Sequence, residues 1–585
     1  MNETLLLQAT LARTLQAWIA RFEDGAWRGA RVEGWLFEDA AARRAAERRL
    51  AAAGVQAFLR SAYKPLLHFF LEEVETAGLV AATVRYPVHA QASPQRFLLE
   101  AYPLAGLWPQ CEFAFVAGGE GLDYELTLRW QDGREQRSRV FAPNRVHTGT
   151  AGTTLLSPTG WLRVQRADGS LSADAAESTD YEQAFERIVA CVENHDWPRG
   201  EPFFERLDLR VELPGIAQRL PLGHETVSSH EALHEDLYFS LLEVFQRRSG
   251  RASGDRRLQP GQIVPDVRAG AGALRLRVAS RGFGQANDAA TADDDALPLA
   301  QLAHAPGPAR IAREMERLGG QRFAATTRQG RSVPGLYQPG PTAPVLVSGG
   351  QHANETSGIV GALRAAQALQ ASGDAHFALI ALENPDGYAL RGELAQWHPE
   401  HMLHAARYTA LGDDLEYREQ APWFEREARR QALALSGAQL HLNLHGYPAH
   451  EWTRPLSGYL PQGFELWTLP KGFFLILRHH RGWEREARSL LEQVGAALAE
   501  VPGLADFNAR QLALYERHAG GLPFELVHGM ACAVSEVERA DSAPVTLITE
   551  FPDETVHGEA FRFAHTVQMR TVLAAVRAWQ ALARR

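Results

Sequence analysis

Four short apolar runs in the second half of the chain each stop at a polar turn or residue. Val345–Val347 breaks at Gly349-Gly350, and His376–Leu382 at Glu383-Asn384-Pro385-Asp386-Gly387-Tyr388. Ala438–Leu444 ends at His445-Gly446, and Val545–Ile548 at Thr549-Glu550-Phe551-Pro552. Residues 438–444 alternate apolar and polar with the period of a strand, and the last run is rich in β-branched residues. Asn-Pro, Asp-Gly and Gly-Gly are turn dipeptides, so each run reads as a strand with a defined end. Between them Ile359–Ala371 is apolar and Ala-rich and reads as a helix packed on a sheet. Ahead of them a helix is expected at Ala309–Leu318, with strands near Arg322–Arg328 and Gly335–Gln338. Strands alternating with helices predict an α/β domain with helices flanking its sheet. In open sheets of that kind ligands bind at the carboxyl ends of the strands.

The first half reads differently. Residues 1–79 carry helical periodicity and are rich in Ala, Leu and Arg. Residues 80–215 read as short strands with turn punctuation: Val80–Val88, Phe97–Tyr102, Cys111–Ala117, Tyr124–Trp130, Ser138–Phe141, Trp161–Arg166 and Leu207–Leu213. One helix interrupts them near Tyr181–Asn194, and residues 229–249 look helical. The stretch 250–308 is low in apolar residues, and Ala286–Pro298, with its Asp run, is the best linker. The expected division is a helical segment 1–79, an α+β domain 80–285, a linker 286–305 and the α/β domain 306–585. A chain of 585 residues is long enough for two to four domains. The first half has no motif that connects to chemistry; covering the cleft, assembly or partner binding are its open roles.

Composition narrows the class. Apolar content of 45 % is ordinary for a globular protein, and a net charge of −10 leaves no electrostatic footprint for nucleic acid. Cys111, Cys191 and Cys532 are too few and scattered for a disulfide framework, which fits a reducing compartment. Met1–Phe22 has no basic stretch followed by an unbroken apolar run, and no stretch of about 18 apolar residues occurs. The expectation is a cytoplasmic protein with no membrane partner; a homo-oligomer remains open.

The candidate chemistry sits at the strand ends. His352 and Glu355, with two residues between them after Val345–Val347, can reach a common point, and an imidazole with a carboxylate suits a borderline-soft ion such as zinc. Asn384 and Asp386 fall at the end of the second run. His445 is 90 positions beyond Glu355, so only tertiary folding unites them. Glu550 stands just ahead of a proline stop.

In that order and in those contexts the chain, over roughly residues 305–585, resembles the zinc carboxypeptidase (funnelin) family. There a His-x-x-Glu pair and a later His bind zinc, an Asn-Pro-Asp-Gly turn lies between, and a later strand carries the catalytic Glu. The resemblance implies a carboxypeptidase-like mixed sheet, one zinc held by His352, Glu355 and His445, and Glu550 as general base. It implies hydrolysis of a peptide or amide bond in a small substrate. Gly-Gly-x-His-x-Asn-Glu is also similar to the aspartoacylase and succinylglutamate desuccinylase group, which implies the alternative of an N-acyl-amino-acid amidohydrolase. The competing class is a non-catalytic binding protein on a peptidase scaffold.

The chain departs from carboxypeptidases in the segment that grips the substrate carboxylate. Where Asp-x-Asn-Arg-Asn is expected it has Asp414-Leu415-Glu416-Tyr417-Arg418, with Glu for Asn and Tyr for Arg. Arg418 is one position late; Arg391 and Arg407 are further candidates, as is Asn384. Asp413, Asp414, Glu416 and Glu419 could meet a cationic group, but a solvated loop is the preferred reading. Poor activity on long peptides is therefore expected. A rival motif, His230-Glu231-Ala232-Leu233-His234, has the His-Glu-x-x-His form on an expected helix Ser229–Arg247. No third ligand follows at a recognisable spacing, so it reads as helix polarity. His398, His401 and His404 read as cleft rim or solvent-facing.

Overall fold

The computed structural model describes residues 3–119, 121–252, 254–284, 297–460, 467–539 and 541–583. Its second half is built on a nine-stranded mixed sheet. The strands run in the order Gln321–Thr326, Ser332–Gln338, Phe377–Ile380, Val345–Gly349, Leu440–Pro448, Val545–Glu554, Phe474–His479, Met530–Glu536 and Glu525–Val527. The four central strands from Phe377–Ile380 to Val545–Glu554 are mutually parallel. Parallel strands covered on both faces read as continuous apolar runs, and these do: every residue of Val345–Gly349, Phe377–Ile380 and Leu440–Pro448 is buried.

Alternation decides which side chain meets which layer. Val345 and Val347 face a core shared with helices Ser357–Ser372, Glu484–Ala499 and Glu559–Ala583. Leu346 faces the other way, onto Ala428 and Ala432 of helix Arg426–Ser436. Helix Ser357–Ser372 approaches its neighbours closely because it carries glycines there: a Cβ on Gly358 would lie 2.8 Å from Leu444 O, and one on Gly361 2.5 Å from Gln568 Cβ.

The first half contains three four-stranded sheets. Glu3–Leu11, Leu274–Arg281, Arg206–Leu213 and Gln262–Ala269 form one; Leu171–Ala176, Trp161–Gln165, Arg31–Leu36 and Gln56–Ser61 form another. The third is Glu112–Gly119, Leu79–Pro87, Asp123–Trp130 and Glu135–Phe141. Residues 3–79 are thus not a helical segment. Three strands alternate there with helices Thr14–Phe22, Ala40–Ala52 and Pro65–Glu72, and residue 79 is no boundary, because Glu3–Leu11 pairs with Leu274–Arg281. Ala and Arg dominate the local propensity there, but Glu3–Leu11 is settled by Leu274–Arg281 and Arg31–Leu36 by Trp161–Gln165, far along the chain, and Gln56–Ser61 pairs on Arg31–Leu36. Phe97–Tyr102, expected as a strand, falls largely in helix Arg96–Glu100, a short apolar run that periodicity cannot assign. Most of the expected linker, residues 285–296, lies outside the described residues. The core of the first half continues into Leu390, Leu394, Leu403, Leu456 and Tyr459 of the second. Among the described residues no helix is long and apolar enough to cross a membrane.

The segment around Arg418 also departs from expectation. Asp413 and Asp414 are buried rather than solvated. Arg418, 2 % exposed, donates to Asp413 (2.6 and 2.9 Å), Glu425 Oε2 (2.7 Å), Thr409 Oγ1 (3.0 Å) and Trp423 O (2.8 Å). Removing one member of such a buried cluster strands the other charges. Arg418→Met is expected to cost about 3–5 kcal/mol in urea unfolding; a change within measurement error would return Arg418 to the pool of substrate ligands. Gly361→Ala tests the helix packing, since propensity alone would stabilise the helix by about 1 kcal/mol. Overlap with Gln568 is worth roughly 1–3 kcal/mol the other way, so the melting temperature should fall; a rise would show that the helices have room to separate.

Candidate metal centre and its cleft

His352 lies in the turn that leaves strand Val345–Gly349. Gly350 makes that turn possible: its φ is +63°, and a Cβ would meet Leu382 Cδ1 at 2.7 Å. Glu355 follows just before helix Ser357–Ser372. His445 sits in the neighbouring strand, directly opposite Glu550 on strand Val545–Glu554. The His445 backbone is gripped from behind: Gln568 Nε2 donates to its carbonyl (2.8 Å), and its N–H donates to Thr549 Oγ1 (3.2 Å).

His352, Glu355 and His445 converge. His352 Nδ1 is 2.8 Å from Glu355 Oε1, His445 Nδ1 is 2.9 Å from Glu355 Oε2, and the two Nδ1 atoms are 3.0 Å apart. They are 5 %, 1 % and 5 % exposed, so solvent does not separate them. Among the described residues this is the group of three donors that one metal ion could join. Two observations fit an ion. Two imidazole lone pairs cannot face each other at 3.0 Å without a proton or a cation between them. Glu355 Oε2 is also buried with no hydrogen-bond partner, although His445 Nδ1 is near it. The tautomer needed is held from outside: His352 Nε2–H donates to Asp414 Oδ2 at 3.3 Å, which leaves Nδ1 bare. Asp414 is held in turn by Gln351 Nε2 (3.0 Å), whose Oε1 accepts from Asn443 and Arg429.

The protonation preferences follow from burial and neighbours. Burial raises Glu355, but His352, Arg407 and His445 outweigh it and hold the carboxyl well below its ordinary range. Burial lowers His445. Burial also works against a charged His352, yet Glu355 and Asp414 leave it above its ordinary value. Glu550, 8 % exposed, is pushed well above the carboxylate range by burial and by Glu355, with Arg407 and Lys471 pulling against them.

These groups open on a cavity of about 120 Å³ lined by His352, His445 and Glu550 together with Arg407, Tyr408, Asp414, Glu416, Tyr417, Arg478, Ile476 and Ile548. Phe239 and Arg256, from the first half of the chain, complete the wall with His404, Trp452 and Trp467. The cavity is therefore shared by both halves. The other expected contacts lie elsewhere. Asn384 is fully buried; its Oδ1 caps helix Pro385–Ala395 by accepting from Gly387 N, and its Nδ2 donates to Tyr408 O (3.1 Å), so it shapes the cavity wall from behind. Arg391 and Arg418 are not among the lining residues.

Arg407 was one candidate among several in sequence; its Nη1 lies 2.5 Å from Glu355 Oε1. Glu416, which replaces the expected Asn, accepts from Arg429 (2.5 Å), Arg539 (2.6 Å) and Arg478 (3.3 Å). The rival histidines do not form a ligand set: His230 Nε2–H donates to Leu213 O (3.0 Å), and His234 Nε2 is buried without a hydrogen-bond partner. His398 is buried against Asp266 and the half-buried His401 meets Ser228, so of the three spaced histidines only His404 reaches the cavity.

No family model and no curated protein matches the chain. Solved structures do. A metallopeptidase candidate from Shewanella denitrificans OS217 is 15 % identical over 46 % of this chain and 88 % of its own, with a TM-score of 0.30. A metallo-carboxypeptidase from Burkholderia cenocepacia is 12 % identical over 52 % of this chain and 75 % of its own, at a TM-score of 0.29. A succinylglutamate desuccinylase/aspartoacylase from Rhodobacter sphaeroides is 13 % identical over 44 % of this chain and 65 % of its own, at 0.25. Both groups that the sequence resembles are represented, at a distance too great to carry chemistry.

Proposed function

We propose that the protein is a zinc-dependent hydrolase that cleaves a peptide or related amide bond in a small substrate. The observation that carries this reading is the buried triangle of His352, Glu355 and His445, whose two histidines line one cavity with Glu550. Donors on a tetrahedron with bonds of about 2.0–2.1 Å lie roughly 3.3 Å apart; the edges here are 2.8, 2.9 and 3.0 Å, slightly tighter and of the right scale. Two neutral imidazoles and one carboxylate leave a cation with net positive charge, which suits a catalytic zinc with an open position.

Zinc bound there would supply a Lewis acid for the scissile carbonyl and a water acidified towards neutrality. Burial and the Glu355 charge raise Glu550; with that charge offset by a cation in the triangle, its ionised carboxylate takes a proton from the attacking water and delivers it to the leaving amine nitrogen. Arg407 lines the same cavity and offers its guanidinium to the carbonyl oxygen as charge grows there. Asp414 keeps His352 in the tautomer that leaves Nδ1 free. The small cavity, walled by Phe239 and Arg256, favours a small amide over a long peptide.

Metal analysis of the purified protein is expected to return one zinc per chain, lost in His352→Ala and His445→Ala and kept in His230→Ala. Metal-free protein whose activity ignores chelators would remove the reading. Glu550→Gln is expected to keep zinc and fold while kcat drops by at least ~10²-fold. Near-normal turnover in that variant would move the base elsewhere; Glu554, the alternative, is turned towards Asn354 at 2.8 Å.

A further inference from the structure

Helix Ser229–Arg248, which carries the unused His-Glu-x-x-His motif, points its acidic residues into the second half of the chain. Glu231 accepts from Met402 N (2.8 Å) and from His450 Nε2–H (2.9 Å). Asp236 accepts from Leu456 N (2.8 Å) and Ser457 Oγ (2.5 Å), and Glu243 pairs with Arg454 at 2.9 Å. One turn on from Glu231, Glu235 Oε2 lies 2.6 Å from His404 Nδ1. The acids of one helix thus pin two loops, around 402–404 and 450–457, and both loops contribute to the cavity wall.

At the centre of this arrangement three rings pack against one another. Phe239 and Trp452 stack with centroids 5.6 Å apart at 18°, and His404 stands edge-on to both at 4.9 and 4.7 Å. All three line the cavity that holds the metal triangle. His404 is presented by a strained backbone: Leu403 before it has φ of +58°, a conformation unfavourable for a bulky residue. Because Nδ1 is committed to Glu235, Nε2 is the polar atom left for a ligand. Burial pushes Glu235 up to about 8 and holds His404 well below its ordinary range. The pair therefore carries no net charge, and the group it meets needs none. Of the cationic residues of the lining, Arg407 is paired with Glu355, while Arg256 meets Tyr417 and Arg478 meets Glu416.

We propose that Phe239, Trp452 and His404 form the acyl subsite of the cleft, which takes a flat, uncharged acyl group of the benzoyl type with one oxygen on His404 Nε2. Glu235 acts as the positioning residue of His404. The carboxylate of the amine portion belongs with the cationic part of the lining. This inference rests on the amide-hydrolase reading above, and it assigns the first half of the chain a part in substrate selection.

The test uses the full zinc-loaded chain with N-benzoyl and N-acetyl derivatives of one amino acid. The wild type should favour the benzoyl substrate by about tenfold or more in kcat/KM. Phe239→Leu, which keeps most of the bulk, and His404→Gln should bring the ratio towards one, through KM more than kcat. Glu235→Ala should act as His404→Gln does, and Glu235→Gln should restore most of the preference. Equal rates on both substrates in the wild type, or a ratio unmoved by these variants, would overturn the proposal. Calorimetric titration of Glu550→Gln with the N-benzoyl compound separates the subsite from the chemistry. Binding that Phe239→Leu weakens, with no turnover of any amide by the wild type, would retain the subsite and reject the hydrolase; no binding would reject the subsite. Should the variants fail to fold, inhibition of the wild type by benzamide but not by acetamide is the supporting result, and equal inhibition the opposing one.

Discussion

Strand Leu440–Pro448 lies between Val345–Gly349 and Val545–Glu554, parallel to both, and its register places Leu444 beside Gly349 and His445 beside Glu550. The cleft depends on that register. Side chains alternate along a strand, so a slip of one residue would turn His445 to the opposite face and leave His352 and Glu355 without their third donor. The strands are held in place by burial on both faces and by helix Glu559–Ala583, whose Gln568 bonds both His445 O and Thr549 Oγ1. Chemistry at the sheet edge is therefore tied to packing at the sheet's back.

A second constraint is the cost of taking many ionisable groups out of water. Asp414, Arg407, Glu355, Glu416 and Arg429 are tied into contiguous hydrogen bonds, which offsets desolvation that no isolated charge could bear. Lys471 is an exception: its Nζ is buried without a hydrogen-bond acceptor, against the rings of Tyr447, Trp467 and Phe474. Burial brings it down to about 7. The polar network also explains why the first half cannot be treated as an appendage. Lys64 pairs with Glu451, Tyr102 with Glu225, and Glu225 with the Glu451 backbone, so loop 449–459 is anchored in residues more than 200 positions earlier.

The sequence by itself determined the four central strands, because apolar runs that must be covered on both faces are continuous; it did not determine where two of them end, since Leu440–Pro448 runs on past His445-Gly446 and Val545–Glu554 past Pro552, still paired with each other. It placed His352 and Glu355 just after one of these strands and His445 and Glu550 on two others, and marked the helices at 308–317, 357–372 and 229–248. What it did not contain was the partner of each charge. Arg418 reads as a displaced substrate ligand until Asp413 and Glu425 are seen to enclose it, and the acids after Gly412 read as solvated until their donors appear. The strands within residues 3–79 were illegible for the same reason, since their pairing lies as far off as residue 281. Only the tertiary structure decided that His404, one histidine among three evenly spaced ones, reaches the cavity, and that a helix with a metal-site pattern holds loops instead. Local pattern records which face of an element is apolar; the partner of a polar group is a long-range property, and it is set when separate elements are buried together.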